Sequence, residues 1–185
     1  MLAAALLAGG TRATAAVLLA AAMHEGGHLL LLGLLGAPVE GIRLGAFGAE
    51  IRAYTERLSY GKELLATLAG PAANLVSAPL IALLAARCGW AWGYLFAGAH
   101  AVLGVYNLLP IPPLDGARAL YLAVADCCGP DAGERAGRCA GLACAAVLTG
   151  FGAYLALAWG GALFLLAALG LLLPQLGLAK KRVTV

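Results

Sequence analysis

The stretch His24-Glu25-Gly26-Gly27-His28 lies in an apolar run from Ala13 to Leu35. As a helix, that run is long enough to cross a bilayer core of about 30 Å. Residues four apart on a helix stand one above the other on the same face. His24 and His28 can therefore offer two imidazole nitrogens to one metal ion. Glu25 is close enough to reach a water on that ion. This HExxH spacing suits zinc-activated water with the glutamate as general base. Such a string arises by chance in soluble helices, but a membrane span changes the odds. One Asp-like charge at the bilayer centre costs roughly 2.5–3.5 kcal/mol on insertion scales. A structural role for two histidines and a carboxylate together is hard to supply, and a metal site is the reading that remains.

Composition supports the membrane setting. Of 185 residues, 63% are hydrophobic and only 11% charged, with mean hydropathy +0.92. A soluble domain of this size carries about 25% charged residues. The expected fold is all-α, a polytopic transmembrane helix bundle forming one membrane-embedded domain over residues 1–185. The net charge of +3 is small. It excludes an extended nucleic-acid surface and leaves the basic residues as topology signals. Five cysteines, Cys88, Cys127, Cys128, Cys139 and Cys144, form no CxxC pair. Their odd count argues against a disulfide framework and for small buried thiols. Met1 to Gly10 lacks the basic start of a cleavable signal peptide.

Five full spans are expected: Ala13–Leu35, Glu63–Arg87, Trp90–Leu109, Cys139–Trp159 and Gly160–Leu178. Met1–Ala8 is apolar but too short to cross, and reads as a short N-terminal helix. Between the first two spans, Pro38 to Lys62 is rich in charge. Within it, Ile42 to Ile51 reads as strand-like pieces broken by Gly45 and Gly48. A small β-hairpin at the membrane surface around 42–52 and an ordinary solvated loop both fit. In the second span, Pro71 predicts a kink, and Asn74 must face protein or a cavity. Trp90 and Trp92 read as interfacial anchors, and His100 as a hydrogen-bonding packing residue. In Asn107-Leu108-Leu109-Pro110-Ile111-Pro112-Pro113-Leu114-Asp115-Gly116, three prolines in four residues cannot continue a helix. Non-helical backbone at that depth should line a polar cavity, and Asp115 sits in it. Asp126 to Arg138 reads as a polar connection.

Charge sorting sharpens the site. Seven of the nine acids, Glu40, Glu50, Glu56, Glu63, Asp126, Asp131 and Glu134, fall in or beside connections. Glu25 and Asp115 remain at membrane depth. A catalytic zinc keeps three protein ligands and one open position, so Asp115 is the candidate third ligand beside His24 and His28. One Zn2+ per chain is expected. Glu25 would take a proton as water attacks a carbonyl and pass it to the leaving amine. Asn107 and Asn74 are candidates to hold substrate backbone. Arg43, Arg52, Arg57, Lys62, Arg135, Arg138 and Lys180-Lys181-Arg182 fall on one side by span count, and Arg12 and Arg87 on the other. The positive-inside rule puts the tail and both basic loops in the cytosol.

HEGGH in one helix, GPAAN at 70–74 in the next and NLLPIPPLDG at 107–116 after it resemble the site-2 protease family of intramembrane zinc metalloproteases. The pattern is most similar to the stage IV sporulation protein FB group of bacteria and covers roughly residues 1 to 182. The resemblance implies zinc on His24, His28 and Asp115, Glu25 as catalytic base, and Asn107 in the active-site motif. It implies that the 40–60 loop feeds an extended substrate strand to the metal, with Gly48 near its turn. It further implies a multi-pass protein of the bacterial cell membrane. Its substrate would be a membrane-tethered or membrane-associated regulatory protein, such as a sigma-factor precursor or anti-sigma factor, with membrane regulators as further partners. Two features depart from the pattern. The first helix is reduced to Met1–Ala8, and no nucleotide-sensing CBS domain follows Val185. ATP control through that domain and the sigma-factor substrate are therefore not carried over. A proteolytically inactive relative that binds membrane partners would keep the ligands without needing Glu25. A metal or proton transporter would show polar sites along a path, whereas this sequence shows one cluster.

Overall fold

The computed structural model describes residues 10–37, 39–45, 48–53 and 58–159. Its elements are α1 (Gly10–Leu34), β1 (Val39–Gly45), β2 (Gly48–Ala53), α2 (Tyr60–Cys88), α3 (Gly93–Asn107), α4 (Asp115–Cys128) and α5 (Pro130–Trp159). The Met1–Ala8 helix, the Gly160–Leu178 span and the Lys180-Lys181-Arg182 tail lie outside the described residues. The chain divides into two compact units between Leu108 and Leu109.

Three helices among the described residues are long and apolar enough to cross a membrane: Gly10–Leu34, Tyr60–Cys88 and Pro130–Ala158. Five full spans were expected, and the expected Trp90–Leu109 span is shorter than the sequence suggests. Its helix, α3, has 15 residues, about 22 Å of rise. The front of the apolar run is spent on a turn. Gly89 takes a left-handed φ of 63° to cap α2, and the N–H groups of Trp90 and Gly93 bond to Ala85 and Trp90 carbonyls. The back is lost where Leu108 enters the proline-rich bend. Asp126 to Arg138 also differs from expectation. Only Gly129, at φ 86°, interrupts helix there, and Pro130 opens α5 at a position where a missing N–H costs nothing.

In the first unit α1, α2 and α3 pack on one another, with the β1–β2 hairpin beside α1. Burial is inverted relative to a soluble bundle. Ala16, Ala20, Ala66, Ala78, Ala85 and Ala97 are buried, while Leu30, Leu34, Val76, Leu80 and Val102 face outward. Such a surface suits lipid, and small interior residues let backbones approach closely. Gly27 shows the closeness: a Cβ there would stand 2.6 Å from the Ala69 carbonyl oxygen. The guanidinium of Arg12 lies 4.0 Å over the Trp92 ring, joining the start of α1 to the turn before α3. Arg87, in the last turn of α2, is at that same end. Pro71 and Pro79 are both carried within α2, which remains one helix of 29 residues.

Of the two readings open for the connection between α1 and α2, the hairpin is the one present. β1 and β2 are antiparallel, with Ile42 opposite Ile51, Gly45 opposite Gly48 at the turn, and an irregularity between Val39 and Gly41. In the second unit α4 and α5 pack closely. A Cβ on Gly133 would stand 2.8 Å from the Tyr121 carbonyl oxygen, and Leu122, Ala125 and Ala145 are buried. The cysteines are not the buried thiols expected: Cys88, Cys127, Cys128 and Cys139 are exposed, and Cys144 is half-buried. They sit at helix ends and on outer faces, where an apolar surface accepts small thiols.

Gly26 and Gly27 separate packing from helix propensity. Gly27→Val should lower thermal stability in detergent by roughly 1–3 kcal/mol, the usual cost of overpacking. Gly26→Ala, with no atom within 4 Å of the new Cβ, should leave the midpoint unchanged or raise it. Equal losses would mean that α1 and α2 do not meet at Gly27.

Candidate metal centre

α1 places His24 and His28 one turn apart and on the same face, as their spacing requires. The His24 Nε2 and His28 Nε2 atoms lie 3.2 Å apart. The rings meet edge to face, with centroids 4.8 Å apart and planes at 81°. Tetrahedral zinc with two Zn–N bonds of 2.0–2.1 Å holds its nitrogens about 3.3 Å apart. The pair is thus spaced as two ligands of one ion.

Each ring is held from behind. His28 Nδ1 lies 2.8 Å from the Ala66 carbonyl oxygen. A carbonyl only accepts, so Nδ1–H donates, which in the neutral ring makes Nε2 the nitrogen able to ligate a metal. Backbone carbonyls commonly orient metal-binding histidines in this way. His24 is buried, and its Nδ1 lies 3.4 Å from Nδ2 of Asn74 on α2. The Asn74 Oδ1 is in turn 3.0 Å from His100 Nδ1 on α3. Asn74 and His100 are both fully buried.

Gly70 makes the cradle for His28. A Cβ at Gly70 would collide with the His28 ring, Nε2 first. The donor chemistry fits a zinc ion. The buried, neutral second partners fit as well, because a ligating imidazole must be neutral and hydrogen-bonded at its other nitrogen.

No protein-family model and no curated protein matches the chain. A solved structure does. The chain has the fold of a site-2 protease. The similarity is to the Site-2 Protease from Methanocaldococcus jannaschii, with TM-score 0.67 over 92% of this chain and 80% of that one. At 18% identity the site-2 protease likeness is one of fold.

The remaining expected site residues are placed as follows. Glu25 is half-buried on α1, between the two histidines in sequence. Asp115 is the first residue of α4 and half-buried. It follows a non-helical Leu108–Leu114 stretch, as the prolines required, and occupies a helix start where the macrodipole favours negative charge. Asn107 ends α3, and its Nδ2 donates to the Leu103 carbonyl at 3.1 Å. Gly48 opens β2, opposite Gly45. Asn74 stands directly behind His24.

Two contributors were not identified from sequence. His100 read as packing, and its contact with Asn74 crosses helices. Gly70 was visible only as part of GPAAN. Arg118, three residues after Asp115 and exposed, falls outside the sorting of basic residues by membrane side.

Gly70→Ala tests the cradle. Displacing the His28 ring should weaken zinc binding by about 10- to 100-fold, as loss of a ligand's support does, measured by competition with a chromophoric chelator. Ala72→Ser, on the exposed side of the same turn, should bind zinc as the wild type does. Unchanged affinity in Gly70→Ala would show that His28 does not depend on this contact.

Proposed function

We propose that this chain is an intramembrane zinc metalloprotease of the site-2 type. In this reading it hydrolyses peptide bonds of membrane-tethered or membrane-associated regulatory proteins. The observation that carries the reading is the pair of Nε2 atoms 3.2 Å apart, set at membrane depth in a fold shared with a site-2 protease.

His24, His28 and Asp115 would hold the ion through two imidazoles and one carboxylate. Bound there, zinc supplies a water of lowered pKa and a Lewis acid for the scissile carbonyl. Glu25 would take a proton from the attacking water and return it to the leaving amine. Its place next to His24 in the sequence supports both tasks. Asn107, at the end of α3, holds substrate backbone. The β1–β2 hairpin offers strand edges, and an extended substrate segment adds to one of them near Gly48, where main-chain bonds give affinity without demanding one side-chain sequence.

The basic residues Arg43, Arg52, Arg57 and Lys62 support a cytosolic side for the connection between α1 and α2, with Arg12 and Arg87 on the far side. Glu25 favours an enzyme over an inactive relative, because a metal held only as a structural staple requires no base beside it. The substrate class follows from depth: a site inside the bilayer reaches segments that are themselves at or in the membrane.

The test is cleavage of a membrane-tethered substrate by the full chain in liposomes. Glu25→Gln should bind about one zinc per chain and lose about 10²- to 10⁴-fold in rate, the range of general-base catalysis. Asp115→Ala should lose zinc and activity together. Equal cleavage by wild type and Glu25→Gln would defeat the mechanism. Zinc flux without cleavage would point to transport.

A further inference from the structure

Glycines on α1, α2 and α3 serve close packing at several points. A Cβ on Gly27, Gly70 or Gly104 would meet a neighbouring helix. At Gly98 a Cβ would have no atom within 4 Å. Gly98 stands on the wall of a groove between α1 and α3, inside the first unit. Ala13, Ala16 and Val17 line one side and Gly98, Ala99 and Val102 the other, around a volume of about 350 Å³. Gly98 and Val102 are exposed, so the groove opens on the outer face of the bundle. Tyr94 also lines it, and from Tyr94 to Val102 α3 rises about 12 Å.

One end of this apolar groove carries a charge. Arg12 directly precedes Ala13, and its guanidinium lies 4.0 Å over the ring of Trp92, two residues before Tyr94. Trp90, Trp92 and Tyr94 are all exposed, as aromatic side chains are at a membrane–water boundary. The Trp92 ring fixes where the charge sits but does not cancel it. Arg12 has no carboxylate partner among the described residues. α1 begins at the same end, at Gly10, so the positive end of its macrodipole adds to the charge. An anion is favoured at the boundary, beside a slot that suits hydrocarbon.

Size decides what enters the slot. A helix about 10 Å across fills on the order of 900 Å³ over 12 Å of length, more than twice the space present. Depth points the same way. A length of about 12 Å is close to half of a hydrocarbon core of about 30 Å, the reach of one leaflet. A transmembrane segment runs through both leaflets. A phospholipid keeps its tails in one and holds a charged phosphate at the boundary.

We propose that this groove is a binding site for one anionic phospholipid, with an acyl chain between α1 and α3 and the phosphate against Arg12. The bound lipid ties the start of α1 to α3 alongside the Arg12–Trp92 contact. The site is separate from the metal centre, since His24 lies about two turns beyond Val17 on α1 and no proposed metal ligand lines the groove. The inference uses the membrane setting and is independent of the protease reading.

The test is native mass spectrometry of the full chain released from nanodiscs that hold equal amounts of phosphatidylglycerol and phosphatidylcholine. The wild type should retain a single phosphatidylglycerol in preference to phosphatidylcholine. Arg12→Gln should cut that preference about fivefold, the worth of one arginine at an anionic surface, and Arg12→Lys should keep it. Gly98→Leu fills the groove and should lose the retained lipid, whichever the headgroup. Its thermal midpoint in lipid-free detergent should equal or exceed that of the wild type, because leucine favours helix over glycine and meets open space. Zinc binding should be unchanged in all three variants, which keeps the metal reading apart from the result. Lipid retained by Gly98→Leu as by the wild type overturns the site, and so does an unchanged preference in Arg12→Gln. A lower midpoint for Gly98→Leu in lipid-free detergent would mean that the chain's own residues pack there, and also overturns it. Slower substrate cleavage or a lost dimer in Gly98→Leu, with lipid retention intact, would give the groove to a protein partner instead.

Discussion

A polar ring in hydrocarbon has no water to turn to, so every nitrogen that a membrane helix carries inward must find its partner in protein. His24 and His28 impose that demand on α1, and the first unit is organised around meeting it. One Nδ1 is answered by the Ala66 carbonyl and the other by Asn74, both on α2. The two Nε2 atoms are left facing each other. That spacing is the one that two nitrogen ligands of a single zinc ion would take.

The partners require close approach, and close approach requires small residues. Gly27 lets α1 come down on the Ala69 carbonyl, and Gly70 leaves the volume that the His28 ring fills. Gly104 does the same for α3, where a Cβ would crowd Leu75 and Asn74. Three helices are thereby brought near enough for a histidine on one, an amide on the next and a histidine on the third to form one network. Leucine or valine at any of these glycines would fill the space on which the polar contacts depend. The large side chains are therefore on the outside, where lipid accepts them. In the second unit the same device, at Gly133, brings α5 against α4, while the prolines before Asp115 stop one helix and let another begin at the carboxylate.

Much of this was legible in the sequence, and the boundary has physical causes. The i, i+4 spacing of the histidines fixes their shared face whatever surrounds them. The prolines at 110, 112 and 113 forbid helix on covalent grounds alone, whereas Gly45 and Gly48 left a hairpin and an ordinary loop equally open. Span count was not legible to the same degree. Hydropathy alone cannot see that Gly89 and Trp90 divert the start of the Trp90–Leu109 run into a turn. The polar residues from Asp126 to Arg138 looked like a connection, yet they form helix, since charge does not break a helix and only Gly129 does. His100 was weighed as an isolated residue because its partner is 26 positions away on another helix. A hydrogen bond of that kind belongs to packing, and no local pattern announces it.

The choice of a carboxamide behind His24 follows from charge. Zinc brings two positive charges, and in the proposed site Asp115 and Glu25 bring two negative ones, so the reacting centre is neutral as a whole. A carboxylate at position 74 would orient His24 at least as firmly, as it does in many zinc enzymes. In water the surplus charge would be solvated at little cost. At membrane depth it would not be, and an uncompensated carboxylate there is worth several kcal/mol against the fold. An amide supplies the acceptor without the charge. Its other end must then be satisfied as well, because it is buried. A histidine suits that task where lysine or glutamate would not, since a neutral imidazole can donate to the amide oxygen without bringing a charge to membrane depth.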